Sequence, residues 1–123
     1  MESVERASAL VYALFAEQGE AIRGQWPTVE WGASRGPRAI SSWLHASGVA
    51  GEWMRDLVVT VERGQLPGYA VDAVIRDEAS GTLQLVAAAR VGPDLVCAVA
   101  ETFARAGLRA WDEEVAGREQ SAT

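Results

Sequence analysis

The chain has 123 residues, 49% apolar and 23% charged, with 11 basic against 17 acidic side chains and a net charge of −6. Those proportions belong to a folded domain and exclude long disorder, and one domain of this length can bury a real core. The acidic balance excludes non-specific binding to nucleic acid or to an anionic membrane.

Every basic residue is Arg, and the chain contains neither Lys nor Asn. That usage is expected of a G+C-rich, bacterial genome and is not read as nucleic-acid chemistry. The single cysteine, Cys97, has no partner for an internal disulfide. Met1 is followed by Glu2, Ser3, Val4 and Glu5, not by a basic segment and an apolar stretch, so no signal peptide is expected. No apolar run approaches the roughly 20 residues of a membrane helix. The expected location is the cytoplasm.

Residues 3–23 repeat with helical period, placing Val4, Ala7, Val11, Leu14, Phe15 and Ile22 near one face. Thr28–Trp31 fits a short strand, held to an edge by Pro27. Gly36-Pro37 predicts the start of a second helix with Ile40, Trp43, Leu44 and Ser47 as its inner stripe, ended by Gly48. Three runs then alternate with period two. Leu57, Val59 and Val61 share one face, as do Tyr69, Val71, Ala73 and Ile75, and then Leu83, Leu85, Ala87, Ala89 and Val91. Breakers at 64–68 and 77–81 suit hairpin loops, so an antiparallel three-strand meander over 57–91 is expected. Gly92-Pro93-Asp94 opens a long helix, with Leu95, Val99, Phe103, Ala106 and Ala110 along one side and Val96, Ala100, Trp111 and Val115 widening the stripe. The expected fold is a small α+β domain of order α-β-α-β-β-β-α over 1–116, its sheet packed on the terminal helices, with a flexible tail at 117–123.

Few residues carry a chemical signature. His45, the only histidine, is a candidate general base; its phase beside the predicted stripe fits an ordinary boundary histidine. Cys97 lies among Val96, Ala98 and Val99 and reads as a packed, inert thiol. One His and one Cys without ligand spacing predict no metal and no cofactor, and the acidic runs Asp77-Glu78 and Asp112-Glu113-Glu114 read as a hairpin turn and a solvated helix face. Asp72 and Gln84 could begin the acidic strand pair of a restriction-type nuclease, but Val86 stands where such a site needs Lys. No catalytic residue is assigned. Arg35 and Arg38 flank Gly36-Pro37, where a helix N-terminus between two guanidinium groups would attract an anion.

Two surfaces point to binding. Trp26 and Trp31 lie beside Pro and Gly, either folded onto the core or offered to a partner. The second face of the meander carries Val58, Val74 and Val86 among Thr60, Asp72, Gln84 and other polar residues, too apolar for an open sheet face. It calls for a cover: a second copy, a protein partner or the chain's own helices. The expected function is a non-catalytic, cytoplasmic, self-associating interaction module of adaptor, chaperone, toxin-neutralising or regulatory type. The competing expectation is a small-ligand domain or small enzyme with a pocket between Trp26–Trp31 and His45.

Overall fold

A computed structural model of the chain describes residues 3–65 and 68–121. Its elements are α1 (Ser3–Ile22), β1 (Thr28–Arg35), β2 (Ala39–Ser47), a single 3-10 turn (Val49–Gly51), β3 (Met54–Arg63), β4 (Tyr69–Asp77), β5 (Thr82–Val91) and α2 (Val96–Ser121). The strands form one antiparallel sheet in the order β1-β2-β3-β4-β5. Both helices pack on the same face, giving an α+β domain of order α-β-β-β-β-β-α. None of its described helices is long and apolar enough to cross a membrane.

Alternation along each strand decides what the helices cover. Ile40, Leu44 and Ala46 of β2, Leu57, Val59 and Val61 of β3, and Val71, Ala73 and Ile75 of β4 are buried beneath α1 and α2. From α1 come Val4, Ala7, Val11 and Phe15, the expected stripe. From α2 come Val96, Ala100, Ala104, Trp111 and Val115, so the centre of that stripe lies one residue beyond the expected Leu95, which is 57% exposed. Gly107 lets α2 press against the sheet: a Cβ there would stand 2.7 Å from Leu57 Cδ1. Gly19 of α1 does the same for the Trp31 indole.

The terminal helices and the 57–91 meander stand as expected, and the edge strand exists, extended to Arg35. The sheet has five strands, because 39–47 is a strand and not a helix. Ile40 and Leu44, four residues apart, satisfy both periods over so short a run, and the alternation Ile40-Ser42-Leu44-Ala46 wins because β3 offers a full set of backbone partners. Gly36-Pro37 is therefore a hairpin turn, closed by the Gly36 amide donating to the Ala39 carbonyl at 2.8 Å. The backbone of α2 is helical to Ser121, past the Gly117 at which a tail is expected. Residues 122 and 123 of that tail lie outside the described residues.

β5 differs in one further respect. A bulge opposite Ala73/Val74 shifts its register, so Ala87 and Ala89 face the helices but Leu85 pairs with Val74 and Leu83 with Arg76. Leu83 and Leu85 therefore leave the face they were expected to share with Ala87 and stand 69% and 64% exposed. Val86 moves the opposite way and packs against the core.

Candidate functional site

The sheet face turned away from the helices is a grid of cross-strand rows. The middle row runs Gly32-Trp43-Val58-Val74-Leu85 across all five strands. On one side lies Glu30-His45-Asp56-Arg76-Leu83, on the other Ser34-Ser41-Thr60-Asp72-Ala88. Trp43, expected in the core, lies on this face. It is half-buried because its indole covers Gly32, where a Cβ would stand 2.6 Å from the ring. In the lower polar row the Ser41 and Thr60 hydroxyls share a 2.8 Å hydrogen bond.

The upper polar row holds the densest chemistry. His45 Nδ1 and Asp56 Oδ1 are 2.5 Å apart. Arg76 Nη2 donates to Asp56 Oδ2 at 2.9 Å and to Glu78 Oε1 at 3.4 Å. Glu78 Oε2 is 3.9 Å from His45 Nδ1. Together with Glu30 and Trp43 these side chains line an open cleft of about 340 Å³.

Their charges are mutually tuned. The hydrogen bond to Asp56 is the main reason the His45 pKa rises above its ordinary value; burial opposes it, and the carboxylates of Asp56, Glu78 and Glu30 add to the rise. Burial works against ionised Asp56, but the hydrogen bonds from His45 and Arg76 outweigh it and its pKa falls. Glu78 is pushed up, first by hydrogen bonding to Asp56 and then by partial burial. In the other row, burial and then the Glu62 carboxylate raise Asp72.

A second cluster lies directly behind, on the covered face. Arg55 Nη1 meets Asp77 Oδ2 at 2.5 Å, and its Nε lies 3.8 Å from Glu114 Oε2. The indole N–H of Trp111 donates to the Arg55 carbonyl at 3.3 Å. Asp77 Oδ1 also accepts the amides of Ala79 and Ser80, shaping the β4–β5 turn. On α2, Asp112 accepts from Gln18 Nε2 at 3.0 Å. The acidic runs at 77–78 and 112–114 thus supply ion-pair and hydrogen-bond partners between elements, beyond a turn and a wetted helix face.

Of the residues singled out from sequence, Val58 and Val74 lie together on the open face and Val86 does not. Trp31 packs between sheet and α1 with the Arg23 guanidinium 4.9 Å over its ring, and Trp26 meets Trp53 edge-on at 5.1 Å, both indoles turned toward the core. Trp31 and His45 occupy opposite faces, so the expected pocket between them is not formed. Arg35 and Arg38 flank a hairpin turn and not the start of a second helix; they line a small pocket with Val4 and Glu5 from the first turn of α1, and Glu5 Oε1 lies 3.8 Å from Arg35 Nη1. Cys97 is half-buried on α2. Asp56, Arg76, Glu78, Leu83 and Leu85 are the functional candidates that sequence patterning missed. Asp56 lies 11 residues from His45 along the chain, and only the strand register sets them side by side. Comparison with protein-family models, with curated proteins and with solved structures finds no match.

Proposed function

We propose that this chain is a protein-interaction module that pairs with a second copy of itself through the open sheet face. The observation that carries this reading is the apolar row Trp43-Val58-Val74-Leu85, bordered by the 69% exposed Leu83, on a face that neither helix covers. Contiguous apolar surface of this kind gains free energy when removed from water.

Size and charge both suit a second copy. Five strands about 4.8 Å apart, each spanning roughly 30 Å, present on the order of 700 Å². A stable interface takes about 800 Å² from each partner. A two-fold axis lying along the apolar row would set that row on its own copy and exchange the two polar rows. Arg76 of one copy would then stand opposite Asp72 of the other, a carboxylate that burial and then Glu62 disfavour in its ionised form and that a facing cation would stabilise.

Light scattering tests this directly. At tens of micromolar the expected mass is twice the 13.1 kDa of one chain. Val74→Glu and Leu85→Glu each place a charge in the apolar row and are expected to give the one-chain mass with an unchanged circular dichroism spectrum. A one-chain mass for the unaltered protein would overturn the reading.

A further inference from the structure

We propose that His45, Asp56 and Glu78 form a binding site for a first-row divalent transition ion of zinc type, held on the open sheet face beside the apolar row. Three donor atoms converge there, with His45, Asp56 and Glu78 each offering one within 4.8 Å of the others.

Their orientation is what distinguishes this from a chance meeting of charges. Arg76 takes one oxygen of each carboxylate, Asp56 Oδ2 and Glu78 Oε1. That leaves Asp56 Oδ1 and Glu78 Oε2 turned toward the same nitrogen, His45 Nδ1, at 2.5 and 3.9 Å. Two ligands on a tetrahedral ion with bonds of about 2.1 Å stand roughly 3.4 Å apart, and the observed separations bracket that value. Arg76 thus stands where an outer partner stands in a metal site, fixing the carboxylates from behind, and the ion would take the place of the proton that His45 Nδ1 and Asp56 Oδ1 share.

The supports are rigid. His45 and Asp56 are cross-strand neighbours in the interior of the sheet, and Asp56 is buried to all but 6% of its side chain. Glu78 closes the site from the β4–β5 turn, which Asp77 locks by accepting two backbone amides. Glu30 faces His45 from β1 across the same cleft. Glu30, Asp56 and Glu78 carry three negative charges and Arg76 one positive charge, a balance of −2 that a divalent ion bound to neutral imidazole cancels. One nitrogen and two carboxylate ligands suit zinc, cobalt(II) or manganese(II); a calcium ion wants six or more oxygens, which this site does not offer. The open cleft leaves room for water or a partner's side chain as the remaining ligand.

The experiment uses the full chain, stripped with a chelator and then freed of it, titrated with Zn²⁺ by calorimetry and with Co²⁺ by visible absorption. One ion per chain is expected at micromolar metal, with the Co²⁺ absorption of a low-coordinate site, and millimolar Ca²⁺ should not compete. Each of His45→Gln and Glu78→Gln should weaken Zn²⁺ binding at least about tenfold while leaving the circular dichroism unchanged. Asp56 is spared because it is buried and bonded to both His45 and Arg76, so its removal would disturb the cluster itself. Absence of Zn²⁺ and Co²⁺ binding up to high micromolar would overturn the proposal. So would binding that His45→Gln leaves intact, since the ion would then sit on other carboxylates of this acidic chain.

Discussion

Arg55 and Asp56 are neighbours on β3, point to opposite faces of the sheet, and each anchors a cluster of charges at the same end of the fold. Behind the sheet, Arg55 meets Asp77 and Glu114 under α2, with Trp111 closing the space and donating to the Arg55 carbonyl. In front, Asp56 meets His45 and Arg76 beside an open cleft, with no helix above it. The covered cluster fastens helix to sheet. The open one contains the single histidine and borders the cleft, with Asp56 buried at its base and Arg76 and Glu78 reaching solvent. The same pair of strands therefore makes a fastening on one side and accessible chemistry on the other, and the covering helix is what separates them.

The sharpest way to break that contrast is Arg55→Met. The guanidinium is only 7% exposed and Asp77 only 12%. Removing one partner of a buried pair strands the other, at a cost of about 3 kcal/mol or more. Asp77 keeps the amides of Ala79 and Ser80, which places the expected loss near the lower end of that range. Urea denaturation followed by tryptophan fluorescence reads it as a lowered midpoint. A loss below about 1 kcal/mol, the scale of an exposed pair, would show that α2 does not seal the cluster.

The pH response of the open cluster turns on His45 and Asp56. The folded pKa of His45 is raised, chiefly by its hydrogen bond to Asp56, with Glu78 and Glu30 contributing and burial opposing. Its contribution to stability is therefore complete below the unfolded value of about 6.5 and is lost as pH rises through the higher folded value. Asp56 is lowered, so its contribution is present above about 3.9 and is lost as pH falls through the lower folded value. In chelator, the stability gap between the unaltered protein and His45→Gln is expected to be widest at mildly acid pH and to close on the alkaline side, by less than the Arg55 effect. A gap that widened with rising pH would break the sign of the His45–Asp56 coupling.

How far this arrangement could be read from sequence differs by element. The helical stripe Val4-Ala7-Val11-Phe15 and the alternation of β3 and β4 were legible because each period persists long enough to exclude the other. β2 was not: over nine residues Ile40 and Leu44 satisfy both periods, and only pairing with β1 and β3 decides between them. That one substitution of strand for helix moved Trp43 from the core to the open face and removed the helix end at Arg35–Arg38. The β5 bulge left no mark, because the small residues Ala87, Ala88 and Ala89 suit either face, and it reversed Leu83, Leu85 and Val86 together. The charged cluster depends on register across three strands, so His45, Asp56, Arg76 and Glu78 looked unrelated along the chain.

The smallest effect tests the two faces with a single side chain. Leu57 is fully buried beneath α2, while Leu85, on the far side of the same sheet, is 64% exposed. Within one chain Leu85 has little apolar surface to lose, so Leu85→Ser is expected to change folding stability by no more than about 0.5 kcal/mol. At high dilution, where a dimer dissociates, thermal unfolding of the two proteins followed by tryptophan fluorescence should nearly coincide. Raising the concentration separates them if the open face pairs. Association stabilises only the folded state, so the midpoint of the unaltered protein climbs with concentration, and Leu85→Ser should climb less. Equal concentration dependence in both proteins would place self-association somewhere other than the apolar row, while a large loss at high dilution would mean that Leu85 already packs within its own chain.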